Sequence, residues 1–239
     1  MSRSFQFGFL AAGLLAAAPL AQAYESGDVL LRAGPALVDP DATSTDINSQ
    51  GLGVLDGWRV DVQSATALGI TATYMLTSHI GVGLLASTPF KHDIVGAGVL
   101  GGAGKLAETK HLPPTLTLQY FPMPSGSNIQ PYAGVGVNYT IFFDEQTTGT
   151  LTGAIDQGVS GAQVDSTELR LEDSIGLAAE LGVDVMLDSN FGLNAAVWWA
   201  DIDTDGTIIA REGNTAVDAA FVDVDIDPLV YMIGFTYRF

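Results

Sequence analysis

The residues able to do chemistry are few and scattered. Asp201, Asp203, Asp205, Gly206 and Glu212 fit the calcium-loop pattern D-x-[DN]-x-[DN]-G-x5-E. Carboxylates at alternate positions and a later bidentate glutamate can surround Ca2+ with oxygen. The context is wrong for that fold, because Asn194–Trp199 alternates as a strand before the motif and no helix follows it. The stretch is therefore read as a solvated acidic loop, beside the alternating acids Asp223, Asp225 and Asp227, and no metal is expected. Ser87 precedes His92 by five positions. A Ser–His pair there would begin a nucleophilic site, which needs an orienting third group as well. His111 lies across the same external loop and His79 at an inner turn, so no enzyme is expected. The glycine-rich run from Gly96 to Lys105 is not a phosphate loop: Val99 stands where the first glycine belongs and Leu106 replaces Ser/Thr. It is read as a flexible external loop, and no cofactor is implied.

Composition narrows the classes further. The 239 residues hold 27 acidic against 9 basic side chains, for a net charge of −18, which argues against nucleic-acid binding. Only 15% of residues are charged and 47% are hydrophobic, so the chain is not a solvated disordered one. The absence of cysteine removes disulfides, thiolate metal sites and a cysteine nucleophile. Residues 1–23 read as an export signal: Arg3, an apolar run from Phe9 to Ala18, and Ala21-Gln22-Ala23 before an expected mature start at Tyr24. Residues 24–239 are expected to form one domain.

Apolar residues alternate with small or polar ones in Leu68–Leu76, Ile80–Leu84, Leu116–Tyr120, Ala133–Ile141, Leu177–Val185, Leu193–Trp199 and Leu229–Phe239. Period two is the strand signal. With a weaker strand near Asp28–Val38 the count is eight. The face opposite the bulky residues carries Gly, Ala, Thr, Asn and few charges, which suits the interior of a narrow barrel whose large residues meet lipid. Strands can span a bilayer only by closing on themselves. Gaps alternate long and short, as long external loops and short periplasmic turns would. Tyr120, Tyr132, Phe191, Tyr237 and Phe239 are assigned to an inner aromatic girdle, and Phe90, Phe142 and Phe143 to an outer one.

Tyr231, Ile233, Phe235, Tyr237 and a final Phe239 share one face of the last strand, an ending similar to that of bacterial outer-membrane proteins. The blocks Leu31–Gly34, Ile80–Phe90, His111–Leu116, Pro131–Phe143, Asp201–Thr204, Asp227-Pro228 and Tyr237–Phe239 run in order through the chain. Together they resemble the OmpW/AlkL family of small outer-membrane barrels. The resemblance implies an all-β, eight-stranded antiparallel transmembrane barrel in the bacterial outer membrane that passes small hydrophobic molecules. It implies outer-membrane lipid and lipopolysaccharide as surroundings, the barrel-assembly machinery as a partner through Phe239, and a monomer.

Parity then fills the lumen. Leu85, Trp198 and Met232 fall on the inward side at similar height and are expected to form an apolar constriction that binds solute. Arg32, Glu180, Asp184 and Arg238 are inward and lower, and buried charges must be paired, so a network of two arginines and two acids should plug the periplasmic end. Pro35, Pro228, Pro113 and Pro114 cannot donate to the ladder and could open the wall for lateral release. The expected function is passive uptake of small hydrophobic molecules. The alternative is a structural or surface-interaction barrel with receptor-like acidic loops.

Overall fold

The computed structural model describes residues 24–158 and 163–239; the expected export signal lies outside them. Eight antiparallel strands follow the period-two segments. They are β1 (Val29–Asp39), β2 (Trp58–Val62 and Ala65–Met75), β3 (Ile80–Ser87 and Phe90–Gly98), β4 (Lys105–Leu112 and Thr115–Tyr120), β5 (Ile129–Thr147), β6 (Ser166–Leu171 and Ser174–Met186), β7 (Phe191–Ala200 and Asp203–Glu212) and β8 (Thr215–Asp225 and Leu229–Arg238). Each pairs with its sequence neighbours, and β8 returns to β1 from Leu30↔Arg238 to Asp39↔Leu229, so the inner half is a closed ring.

Outward positions of that ring carry the bulky apolar residues, such as Leu84, Leu118, Val135, Ile175, Leu181 and Ile233, all exposed. No Asp, Glu, Lys or Arg interrupts this face between the rims. In water it would be a large aggregation-prone surface; in hydrocarbon it is the solvent-matched one. Among the described residues no helix is long and apolar enough to cross a membrane. Tyr120, Phe191, Tyr237 and Phe239 lie exposed at the inner rim as read from sequence. Tyr132, Phe90 and Phe142 do not face lipid: all three are buried toward the lumen. Parity explains the correction for Tyr132, because it alternates with the outward Ala133 and Val135.

Six of the eight strands break once, at 63–64, 88–89, 113–114, 172–173, 201–202 and 226–228. Above the breaks the stretches read as loops are mostly strand. β3 and β4 continue as a hairpin through a turn at 99–104, so only the centre of the Gly96–Lys105 run is loop. β7 and β8 continue to a two-residue turn at Gly213-Asn214, where Gly213 has φ 57°, the left-handed conformation such turns require. The supposed calcium loop is thus extended, and its positions alternate faces: Asp203 and Asp205 point outward opposite Asp225 and Asp223, while Thr204 and Gly206 point inward. The outer half forms two sheets around an apolar core that includes Ile94, Leu106, Phe142, Leu169, Ile208 and Val222. Helix α1 (Gly149–Gly158) presses Leu151 onto this core from outside, with the Thr148 hydroxyl accepting from the Leu151 N–H at its first turn. The outer faces of the β3–β5 sheet bear charges in pairs, Lys91–Glu108, Lys105–Asp93 and Lys110–Asp144, which places this half beyond the lipid.

Candidate functional site

The inward faces stack into three levels. The uppermost is a narrow apolar chamber between the two outer sheets. Its wall is almost wholly apolar, with Val60, Ile94, Leu106, Phe142, Leu151 and Val222 from six different segments, and only His92, His111, Thr109, Thr140 and Thr204 carry polar side-chain atoms. Val38, His111, Ile202 and Pro228 line this chamber and also a second space beneath it, so the two adjoin.

The lower space holds the three residues expected to constrict the lumen. Leu85, Trp198 and Met232 all line it, and all are buried, with relative exposures of 8%, 3% and 2%. The ladders place them on three strands: Leu85 opposite Thr71 and Thr115, Trp198 opposite Glu180 and Val230, Met232 opposite Ala36 and Ala196. Gly69 leaves the room that Met232 occupies, since a Cβ there would sit 2.8 Å from its Sδ.

Below lies a polar layer. Arg32 and Asp184 are both fully buried and meet in a two-pronged pair, Nη2–Oδ2 at 2.6 Å and Nε–Oδ1 at 2.9 Å. Asp184 also accepts from Tyr24 (2.6 Å), Thr236 (2.7 Å) and Asn194 (2.9 Å), which saturates the carboxylate. The Arg32 guanidinium lies 4.7 Å above the Tyr132 ring and donates to Thr73, which donates to Gln119, which donates to Glu180. Thr117 donates to Glu180 as well, at 2.6 Å. Gly134 clears the space for this acid, because a Cβ there would collide with its carboxylate. The expected group of four therefore divides. Arg32 and Asp184 pair directly, Glu180 joins them through neutral side chains, and Arg238 pairs with Asp28 at the inner rim at 2.9 Å. Tyr24, Thr73, Gln119, Tyr132, Asn194 and Thr236 belong to the layer and were not foreseen. Parity alone points all but Tyr24 inward; no signal in the sequence identifies Tyr24.

The histidines serve no triad. Ser87 Oγ has no hydrogen-bond partner among the described residues, and His92 Nδ1 meets the Gln63 carbonyl at 2.6 Å instead. His92 and His111 stack, centroids 4.8 Å apart, between Phe90 and Phe142. Burial, with a smaller contribution from His92, pushes the His111 imidazole down to about 3. Burial lowers His92 as well. An unfolded histidine takes its proton near pH 6.5, so between there and pH 3 the unfolded state binds more protons and stability falls as pH falls. The unfolding free energy from urea titrations should drop from pH 7 to 5 in the native protein by up to about 1.4 kcal/mol per pH unit per group, and less steeply in His111→Phe. Parallel slopes would contradict a neutral buried pair.

A closed eight-stranded ring with a lipid-matched exterior and a filled, narrow lumen defines a small outer-membrane β-barrel. Residues 25–239 match the OmpW family model. Outer membrane protein W of Vibrio cholerae serotype O1 is 42% identical over 234 residues, 97% of each chain. The crystal structure of OprG from Pseudomonas aeruginosa superposes with a TM-score of 0.80 at 45% identity, over 91% of this chain and 98% of that one. Outer membrane protein AlkL of Ectopseudomonas oleovorans is a more distant relative, 26% identical over 81% of this chain and 74% of its own. The chain belongs to the OmpW family of outer-membrane proteins.

Proposed function

We propose that the protein conducts small apolar molecules passively across the outer leaflet of the outer membrane. The observation that carries this reading is the pair of adjoining apolar spaces, the lower lined by Leu85, Trp198 and Met232, above a charged, saturated layer. Solute enters between the outer sheets, loses its hydration against the chamber wall and settles on the constriction. The Arg32–Asp184 layer beneath offers it no apolar surface, so the favourable way onward is sideways. Of the prolines, Pro35 removes rungs without parting the strands: β1 and β8 keep one register on either side of it, with Gly34 against the Ile233 carbonyl. The opening lies between β3 and β4, where no pairs form between Leu85↔Thr115 and Phe90↔His111, a stretch that contains Pro89, Pro113 and Pro114. The lower space is lined by Leu85, Ser87, Phe90, Pro113 and Thr115 on that side. Release there delivers the solute to the bilayer without passage through the plug. The exposed C-terminal Phe239 serves the assembly machinery, and the barrel works as a monomer in lipid and lipopolysaccharide.

The test uses vesicles whose outer leaflet carries lipopolysaccharide, the layer that obstructs apolar solutes. Naphthalene fluorescence inside such vesicles should rise faster with the protein than without it, while glucose entry stays unchanged. A folded barrel that gives no acceleration would leave the acidic outer face, with Asp203, Asp205, Asp223 and Asp225, as the basis for a surface-interaction role.

A further inference from the structure

The outer edge of the lipid belt is not uniform in charge. Followed upward from the lipid belt, six strands reach an acid as their first charged residue: Asp39, Asp61, Asp144, Asp173, Asp201 and Asp227. β3 and β4 reach a lysine instead, Lys91 and Lys110. With Lys105 these are all the lysines of a chain whose net charge is −18. Lys91 and Lys110 stand directly opposite each other across the ladder, and Phe143 stands opposite Lys110 on its other side. All three point outward, since their neighbours Phe90, His92, His111 and Phe142 are buried. The row therefore marks the end of the hydrocarbon, with one aromatic ring beside two cations.

The acids that answer these lysines lie farther from the lipid. Glu108 meets Lys91 at 2.8 Å and sits above Lys110 on β4. Asp144 meets Lys110 at 2.6 Å and sits above Phe143 on β5. Glu108 is shared with Lys105, which also holds Asp93 at 2.7 Å. The patch is thus layered, positive toward the membrane and negative away from it. Lys91 and Lys110 remain 51% and 38% exposed, and an ammonium carries three donors, so each can take a second acceptor beside its acid. Like charges directly opposite across a ladder are unfavourable, and an anion set between them offsets that cost. Immediately beneath, β3 and β4 form no pairs between Leu85↔Thr115 and Phe90↔His111, which leaves a seam in the wall below the lysines.

We propose that Lys91 and Lys110 seat a phosphate of lipid A, the membrane anchor of lipopolysaccharide, with its acyl chains lying along the seam between β3 and β4. Charge complementarity selects this occupant. The phosphate of an outer-leaflet lipid is held at the boundary by its own chains, so it meets the lysine row without leaving the membrane. The aspartates on the other six strands repel the same group, so the lipid takes one fixed place around the barrel. The inference does not depend on the transport reading, because the seat is on the outer surface.

The test places the native protein in phosphatidylcholine nanodiscs with bisphosphorylated lipid A, or with the same lipid A stripped of both phosphates. EDTA is present, so that magnesium cannot bridge phosphate to the aspartates. With 15N at the lysine Nζ atoms only three side-chain signals arise, and 31P dephasing should reach Lys91 and Lys110. The bisphosphorylated form should bind about twentyfold tighter than the stripped one, at about fivefold per ammonium near an anionic headgroup. Lys91→Gln with Lys110→Gln should abolish that difference, and Lys91→Arg with Lys110→Arg should restore it. Arg59→Gln, an exposed cation elsewhere on the outer half, should leave it unchanged. Heat-dependent gel mobility checks that each variant has folded, and the dephasing in the native protein decides the matter if one has not. Equal affinity for the two lipids, dephasing absent from both lysines, or undiminished binding by the double Gln variant overturns the proposal. Binding that appears only when magnesium replaces EDTA assigns the lipid to the aspartates, and displacement by inorganic phosphate at equal concentration assigns the seat to a soluble anion; either result overturns it as well.

Discussion

Leu85→Asp is expected to slow naphthalene entry about tenfold while the barrel still assembles. Leu85 shares the lower space with Trp198 and Met232, and a carboxylate there holds water against a lining that is otherwise mostly apolar. A solute then forfeits a side chain's worth of contact; about 60 Å2 at about 25 cal/mol per Å2 is about 1.5 kcal/mol, or about tenfold. The site tolerates the change in folding terms because Thr71 and Thr115 flank Leu85 across the ladders and can hydrate or bond the new group. Leu85→Ala is the control: it widens the passage without polarity and should leave entry as fast or faster. The measurement is the initial rate of fluorescence rise in lipopolysaccharide vesicles. Equal rates for the native and Asp proteins would mean that solute does not pass this level.

Asp184→Ala should be the most destabilising single change in the barrel. The substitution leaves the fully buried Arg32 without its counter-charge and strips partners from Tyr24, Asn194 and Thr236 at once. Breaking one side of a buried pair costs about 3–5 kcal/mol, because the remaining charge stays desolvated. Urea unfolding in detergent micelles should show the loss as a lowered midpoint with little change in slope. Replacing both partners, Arg32→Met with Asp184→Leu, should recover much of it, since two apolar side chains carry no unpaired charge. A double variant as weak as the single one would show that the pair itself, rather than the abandoned arginine, holds the layer together.

Much of this was legible in the residues, and the reason is parity. Eight strands in an amphipathic alternation allow one assignment of inside and outside, so the height and orientation of Leu85, Trp198 and Met232 followed from counting. The same counting should have turned Tyr132 and Phe90 inward; the expectation of aromatic girdles overrode it. Partner choice was less accessible. Arg238 has the inward parity but its long side chain reaches Asp28 at the rim, and Glu180 finds Thr117 and Gln119 instead of a cation. Such choices depend on rotamers and on distances across the lumen, which alternation does not encode. The outer strands were missed for a different reason. In Asp203–Ala210 the inward positions Thr204, Gly206, Ile208 and Ala210 alternate as a strand does, yet an acidic composition suggested a loop. The acids only decorate the water-facing side of a sheet whose other side is apolar.

The breaks in six strands fall where the barrel leaves the lipid, while β5 runs unbroken through both halves. The lower ring has hydrocarbon outside and the arginine–aspartate pair inside, whereas the upper sheets close on an apolar core that reaches down to Ala178 and Ala200 of the ring. A graft that exchanges everything beyond these breaks for the equivalent part of a relative keeps every ladder of the anchor. On the proposed reading, ligand preference is then a transplantable property, free to diversify while the membrane foundation stays fixed.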